Sequence, residues 1–182
     1  THQVMGNRSY SKNLKTINTL KQVCFNVLKK FKIGSVAKHI PGHGRSSVDT
    51  HKKLAIVYTS VNSLLKDDFN AFKNINSKFA MTAHIIYKKI DSLNTATHSK
   101  ILINNIIRRK LGFKGILISD DISMKALSNN LLYNATKAID SGCNLVLYCK
   151  GKINESSLLL SKIDDLDNFT RKKTSEFYRF LR

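Results

Sequence analysis

The sequence predicts an α/β fold, a parallel sheet covered by helices. Short apolar runs alternate with longer segments whose apolar residues recur at steps of three and four. Ile116-Leu117-Ile118 and Leu145-Val146-Leu147 are uniformly apolar, as strands buried on both faces are. Three of the four predicted strands end in polar, chemically capable residues, Lys38-His39, His84 and Asp120-Asp121. In α/β folds the site lies at the carboxyl ends of the strands, so this pattern gathers two imidazoles, an ammonium and two carboxylates on one rim.

The elements follow in order. Leu14, Ile17, Leu20, Cys24, Val27, Leu28 and Phe31 mark one face of a helix, with Ser11 as its N-cap. Gly34 breaks it, and Ser35-Val36-Ala37 is a strand leading into Lys38-His39. Residues 40–53 are rich in Gly, Ser and His and form a long loop. A helix is expected over 61–75, with Leu64, Leu65, Phe69 and Phe72 as its apolar set. The second strand runs from Phe79 to about Ala83 and ends at His84. Ser99 caps a helix through Leu111, with Ile103, Ile107 and Leu111 on one stripe. The turn Gly112-Phe113-Lys114-Gly115 leads into the third strand, Ile116-Leu117-Ile118, and then Ser119-Asp120-Asp121. A helix over 125–141, capped by Gly142, precedes the fourth strand, Leu145-Val146-Leu147. Helices over 154–163 and 168–181 finish the chain. The order is α, then βα four times, then α.

The chain has 182 residues, 31 Lys+Arg against 12 Asp+Glu, and a formal charge of +19. An apolar fraction of 42% supports a real core and excludes wholesale disorder. No run approaches the ~20 apolar residues of a membrane span. The charge raises nucleic acid as a partner, but the aromatics are not interleaved with the basic residues as on an RNA-stacking platform. Lys, Asn and Ile are abundant throughout, so the charge is read as compositional background. The three cysteines, Cys24, Cys143 and Cys149, form no C-x-x-C pair. That count fits a reducing, cytoplasmic setting better than a disulfide framework. The first residues, Thr-His-Gln-Val-Met, show no signal peptide.

The loop Lys38-His39-Ile40-Pro41-Gly42-His43-Gly44-Arg45-Ser46-Ser47-Val48-Asp49-Thr50-His51 holds three histidines, a lysine and a carboxylate. In an extended loop Asp49 and His51 point to the same side. A carboxylate beside an imidazole fixes its tautomer and raises its basicity, which suits proton transfer near neutral pH; the same pair could equally staple the loop. Zinc ligation by His39, His43, Asp49 and His51 is the third reading. Their spacing matches no closed structural site, so neither a metal nor another cofactor is expected. Asp120 sits where catalytic groups project, as nucleophile, metal ligand or helix cap; the cap role suits Asp121 better. Pro-Gly-His-Gly has neither phosphate-loop spacing, and no G-x-S-x-G elbow is present.

Lys38-His39-Ile40-Pro41-Gly42-His43-Gly44 followed by Asp49-Thr50-His51 resembles the signature of family 3 glycoside hydrolases. The likeness lies with their bacterial β-N-acetylglucosaminidase branch, where the pattern reads K-H-F-P-G-H-G…D-S-H. Met81-Thr82-Ala83-His84-Ile85-Ile86-Tyr87 resembles the following strand of that branch. Residues 111–115, leading to Ser119-Asp120-Asp121-Ile122-Ser123-Met124, resemble its nucleophile strand. Asp140-Ser141-Gly142-Cys143-Asn144 resembles its last strand entry, and Gly6-Asn7-Arg8-Ser9-Tyr10 its upstream G-x-R-S-F segment. Ile40 replaces the usual phenylalanine, and Arg45 makes the rim more basic than the pattern suggests.

The resemblance implies a partial (β/α)8 TIM barrel, about the last four βα units. Residues 1–182 would be the C-terminal half of the family's N-terminal-type barrel domain, since a complete barrel takes about 250 residues. It implies a retaining hydrolase that removes non-reducing terminal N-acetylglucosamine from peptidoglycan-derived muropeptide fragments. Asp120 would be the nucleophile and His51 the general acid/base oriented by Asp49. Arg8, Lys38 and His39 would bind the sugar. His84 has no role assigned, and His43 shapes the loop. The family's first strands, with an aspartate for sugar hydroxyls, are not in this chain. An N-terminal half-barrel chain is therefore an expected partner. The alternatives are a catalytically dead remnant of a split gene and a basic nucleic-acid-binding module.

Overall fold

The structure, a computed structural model, describes residues 9–46, 48, 50 and 53–182. Its centre is a parallel sheet of four strands in the order β1 (Val36–Ile40), β3 (Phe79–Thr82), β5 (Ile116–Asp121) and β6 (Leu145–Leu147). Each strand pairs with its neighbour in this series and helical segments fill the connections, which is the winding of consecutive βα units in a (β/α)8 barrel. The register aligns Lys38 with Met81, Met81 with Ile118, and Ile118 with Leu145. β1 and β6 are the edges of this sheet among the described residues.

The two faces differ. Ala37, Ala80 and Leu117 pack with Leu102, Ile103, Ile106 and Ile107 in the main core. The alternate residues, Met81, Ile118, Leu145 and Leu147, are only half-buried, and Val36 and Lys38 are exposed. That second face would line the inside of a closed barrel. At the amino ends of the strands it is covered by helix α5 (Asn168–Leu181), whose Phe177 meets Phe79 edge-on at 4.7 Å.

Helix α1 (Leu14–Lys30) forms where expected, but Asn13 caps it, its side chain accepting from Thr16 N. Ser11 sits two residues further out and accepts from Asn13 N at 3.0 Å. α1 buries no residue fully, and Leu20, Val27 and Phe31 of its apolar stripe stay exposed. The helix expected over 61–75 divides into α2 (Val61–Lys66) and a 3-10 turn, Asn70–Phe72. The chain bends between them because Phe69 turns inward, fully buried and edge-on to Tyr87 at 5.1 Å. The same bend points Asp67 and Asp68 at Arg45.

Ser99 caps the next helix as expected, accepting from Leu102 N at 3.1 Å. That helix, Leu102–Lys110, is wound as a π-helix, closing with Leu111 N on Ile106 O. Its adjacent pairs Leu102-Ile103 and Ile106-Ile107 are all buried. Helix α3 (Leu131–Ser141) starts later than the sequence suggests, because Asn130 caps it by accepting from Tyr133 N at 2.8 Å. Gly142 ends it at φ +113°, a conformation that favours glycine. Helix α4 (Ile153–Lys162) and α5 match their expected spans to within a residue.

Two strands were not anticipated. β2 (Ala55–Val57) and β4 (Ile85–Tyr87) pair in parallel as a separate small sheet beside the rim. The chain leaves the main sheet after Thr82, passes through Ala83-His84, and enters this second sheet. Ala83 N still reaches Ile40 O at 2.9 Å, so the departure is gradual.

Candidate active site

The parallel winding delivers the ends of β1, β3 and β5 to one rim. β1 brings Lys38 and His39, β3 leads directly to His84, and β5 ends on Asp120-Asp121. The register between β1 and β3 slips between Lys38 and Ile40. His39 is thereby left out of the ladder at the point where its ring meets Asp120.

His39 Nε2 lies 3.5 Å from Asp120 Oδ2, with the two side chains 29% and 15% exposed. The other carboxylate oxygen, Oδ1, accepts the Asp121 backbone N–H at 2.9 Å. One oxygen is thus anchored to the next peptide and the other faces the imidazole. Burial pushes the His39 ring down to about 4, against the opposing pull of Asp120 and with help from His43, Lys38 and His84. At neutral pH the ring is uncharged, so the contact with Asp120 is not an ion pair. A carboxylate in this setting is acceptor-only and free to direct a lone pair into the rim.

Asp121 does not cap a helix. Its Oδ1 accepts from Ser123 N at 3.0 Å and from Cys149 N at 3.1 Å, tying the end of β5 to the segment after β6. The Ser123 hydroxyl donates to the same carboxylate at 2.8 Å. The expected helix start is displaced to Asn130, and this aspartate serves the turn and the strand junction instead.

The Pro-Gly-His-Gly segment is held from beneath. The Tyr87 hydroxyl donates to Gly42 O. Gly42 adopts φ +155°, and a Cβ there would stand 3.2 Å from the Asp68 Cβ. Arg45 pairs through Nε with Asp68 at 2.5 Å and through Nη2 with Asp67 at 2.9 Å. Its charge is met by these two carboxylates, which hold its own ionisation higher still, so it does not make the rim basic. His43 stands with its ring centroid 5.7 Å from that of His39 and its Nε2 3.4 Å from Thr50 Oγ1.

Of the residues the sequence singled out, Lys38, His39 and Asp120 come together on the rim. Lys38 is exposed on the face that a closed barrel would turn inward. Arg8, Asp49 and His51 lie outside the described residues. Among the described residues, no group of three or more His, Cys, Asp or Glu is placed to hold a metal ion. Sequence reasoning missed Tyr87, Thr82 and Thr97 as supports. Tyr87 stood within a quoted motif, whereas Thr97 carried no signal, because its partners lie thirteen to fifteen residues away.

Four consecutive βα units with an aspartate and a histidine on their carboxyl rim are the framework of a barrel enzyme domain. The family model described as "Glycosyl hydrolase family 3 N terminal domain" matches residues 1–177, and the chain belongs to that family. It is 33% identical over 181 residues to a beta-hexosaminidase of Psychromonas ingrahamii, covering 96% of this chain and 51% of the relative. It is 30% identical to a beta-hexosaminidase of Haemophilus influenzae, covering 90% and 47%. Among solved structures, native NagZ from Neisseria gonorrhoeae superposes with a TM-score of 0.84 at 27% identity, over 98% of this chain and 52% of that one. A family 3 beta-N-acetylglucosaminidase from Paenibacillus shares the fold at a TM-score of 0.84 and 21% identity, over 98% and 36%. The chain spans about half the length of the curated relatives it matches. It is a partial family 3 barrel, similar to the beta-hexosaminidases of that family.

Proposed function

We propose that this chain carries the nucleophile half of a retaining β-N-acetylglucosaminidase. The substrate would be a peptidoglycan-derived fragment with N-acetylglucosamine at its non-reducing end. The observation that carries the reading is the Asp120 carboxylate, one oxygen anchored on Asp121 N–H and the other beside a neutral His39. The relatives' shared name, beta-hexosaminidase, supports the substrate class.

The reaction has two displacements. Asp120 attacks the anomeric carbon, forming a glycosyl ester as the bond to the leaving oxygen breaks. His51, oriented by Asp49, gives that oxygen its proton. The same imidazole then takes a proton from water, whose oxygen attacks the anomeric carbon and releases Asp120. Arg8, Lys38 and His39 bind the sugar. A neutral His39 ring suits this task, since it can donate one hydrogen bond and accept another.

The reading requires the rest of a barrel. Among the described residues, the inward face carrying Lys38, Met81, Ile118 and Leu145 is incompletely covered, and β1 and β6 end the sheet. An N-terminal half-barrel polypeptide is the partner that would supply the missing strands. Three free cysteines, one buried and two exposed, support a reducing cytoplasmic setting. No helix among the described residues is long and apolar enough to cross a membrane.

The test is release of a chromogenic aryl N-acetylglucosaminide by the chain, alone and with a candidate N-terminal half. Turnover that disappears in Asp120→Asn supports the reading, and turnover that persists in that variant contradicts it. The same uncovered face favours a second reading, a catalytically silent remnant. No turnover by the chain alone or with that half, whether or not a complex forms, decides for the remnant.

A further inference from the structure

His84 follows the Met-Thr-Ala strand, and the sequence gives it no role. Its side chain is among the largest that are fully buried, at 1% exposure, so it does not reach into the rim as a ligand would. Its two ring nitrogens bridge two elements. Nε2 lies 3.0 Å from the Asp121 carbonyl oxygen, and Nδ1 lies 2.7 Å from Thr97 Oγ1. A carbonyl only accepts, so Nε2 carries the proton and donates to Asp121. In the neutral ring Nδ1 then accepts a hydrogen bond from the Thr97 hydroxyl. Thr97 Oγ1 in turn stands 2.8 Å from Thr82 Oγ1 on β3, the nearest donor to it. The result is a buried chain of hydrogen bonds from β3, through Thr97 and His84, to the end of β5.

Asp121 is the residue at which this chain meets the nucleophile. Its carbonyl receives His84 Nε2–H and also Met124 N at 3.1 Å, filling both lone pairs. Its own N–H donates to Asp120 Oδ1 at 2.9 Å. Met124 belongs to the turn that follows β5 and moves with it. His84 belongs to the β3 side and is therefore the donor to this carbonyl that comes from a separate element, opposite the tie of Ile122 N to Leu147 O on β6 at 2.9 Å.

We propose that His84 is a positioning residue for Asp120, holding the Asp121 backbone so that its N–H fixes the direction of the Asp120 carboxylate toward the anomeric centre. This deepens the proposed function and rests on Asp120 as nucleophile. Buried polar chains of this kind are stiff when every member is satisfied. A nucleophile displaced by about 1 Å loses on the order of a hundredfold in rate.

Two amide variants separate positioning from simple packing. Glutamine places its amide nitrogen near the His Nε2 position and can still donate to Asp121 O. Asparagine reaches only the Nδ1 position and cannot. The full chain is titrated by NMR, reading the His39 ring with and without Asp120→Asn. His39 should respond to Asp120→Asn in the His84→Gln protein as in the unaltered chain, and by half or less of that response in His84→Asn. Thr97→Val, which frees the His84 ring without touching β5, should weaken the response in the same direction. It also serves if an amide variant does not fold. An equal response in all backgrounds overturns the proposal. Where turnover is present, His84→Asn should lower kcat about tenfold at nearly constant KM, with His84→Gln near the unaltered chain. Equal kcat in folded His84→Gln and His84→Asn overturns it as well. Absence of turnover in every protein counts against the hydrolase reading, and the His39 titration still decides the role of His84.

Discussion

His39 Nε2 and Asp120 Oδ2 stand 3.5 Å apart at the ends of two strands that are not hydrogen-bonded neighbours, since β3 lies between them. The carboxylate raises the affinity of the ring for a proton while burial lowers it, and burial wins. Removing the Asp120 charge should therefore move His39 below its value of about 4, not toward the ordinary histidine range. NMR titration of His39 in Asp120→Asn measures this. An unchanged value instead of a fall would show that the carboxylate is not near the ring in solution.

Acid should destabilise the fold through two histidines. Burial holds both His39 and His98 at about 4. His98 Nε2–H donates to Asn134 O at 3.0 Å, and its ring meets Tyr133 edge-on. In the unfolded chain each titrates near 6.5, so the unfolded state binds protons first as pH falls. The stability from the neutral rings is complete above about 6.5 and is lost progressively down to about 4. For His98 alone the loss is at most about 3 kcal/mol. Urea melts between pH 7 and pH 4 should show this slope, and His98→Gln should flatten its share. An unchanged slope in that variant removes His98 from the account.

Arg108 should be irreplaceable by lysine. Its Nη1 donates to Phe113 O at 3.1 Å and Gly115 O at 2.7 Å, and its Nη2 donates to Asn144 Oδ1 at 2.8 Å. Asn144 Oδ1 also receives Leu117 N, so the fork organises the entries of both β5 and β6. The guanidinium lies over the Phe113 and Phe169 rings at 5.4 and 5.9 Å. A lysine cannot reproduce the planar fork. Arg108→Lys should cost about 2 kcal/mol and Arg108→Ala somewhat more, because two carbonyls lose their donor. Chemical denaturation of the two variants checks this, and a loss under about 0.5 kcal/mol in either would place the strand entries elsewhere.

The Arg45 pairs predict a small, salt-sensitive effect. Arg45 and Asp67 are partly exposed, at 38% and 52% by side chain, so solvent screens them. Arg45→Ala should cost about 1 kcal/mol at low salt and less at high salt. Its larger consequence should be proteolytic nicking of the loop after Gly44, which Arg45 holds against Asp68. Equal protease sensitivity with and without the substitution would show that Tyr87 alone suffices to fix this segment.

Much of the fold is legible in the sequence where one residue pattern decides one element. The apolar runs Ile116-Leu117-Ile118 and Leu145-Val146-Leu147 are central-sheet strands, and the last helix spans the expected 168–181. Reading fails where tertiary contacts decide. Ala55-Ile56-Val57 and Ile85-Ile86-Tyr87 are short apolar runs too, but they pair with each other in a separate sheet, and no local pattern shows that pairing. The helical pattern over 61–75 is real, but burying Phe69 and pairing Asp68 with Arg45 breaks it. At the site, Asp120, His39 and Lys38 were legible as strand ends. The Asp121 N–H that anchors Asp120 is a neighbour in the chain, but the tie from Asp121 to His84 and Thr97 was not legible, since it joins residues far apart in the chain.

As the proposed nucleophile, Asp120 would form a covalent bond to the sugar. The direct measurement is trapping with a 5-fluoro N-acetylglucosaminyl fluoride, applied to the chain together with a half-barrel partner, followed by peptide mass spectrometry. Trypsin cuts after Lys114 and Lys125, so the peptide 115–125 holds both Asp120 and Asp121. One sugar adduct is expected on this peptide, located by fragmentation on Asp120 and absent from Asp120→Asn. An adduct on Asp121 or on another peptide, or turnover of an aryl N-acetylglucosaminide with no adduct, would contradict it.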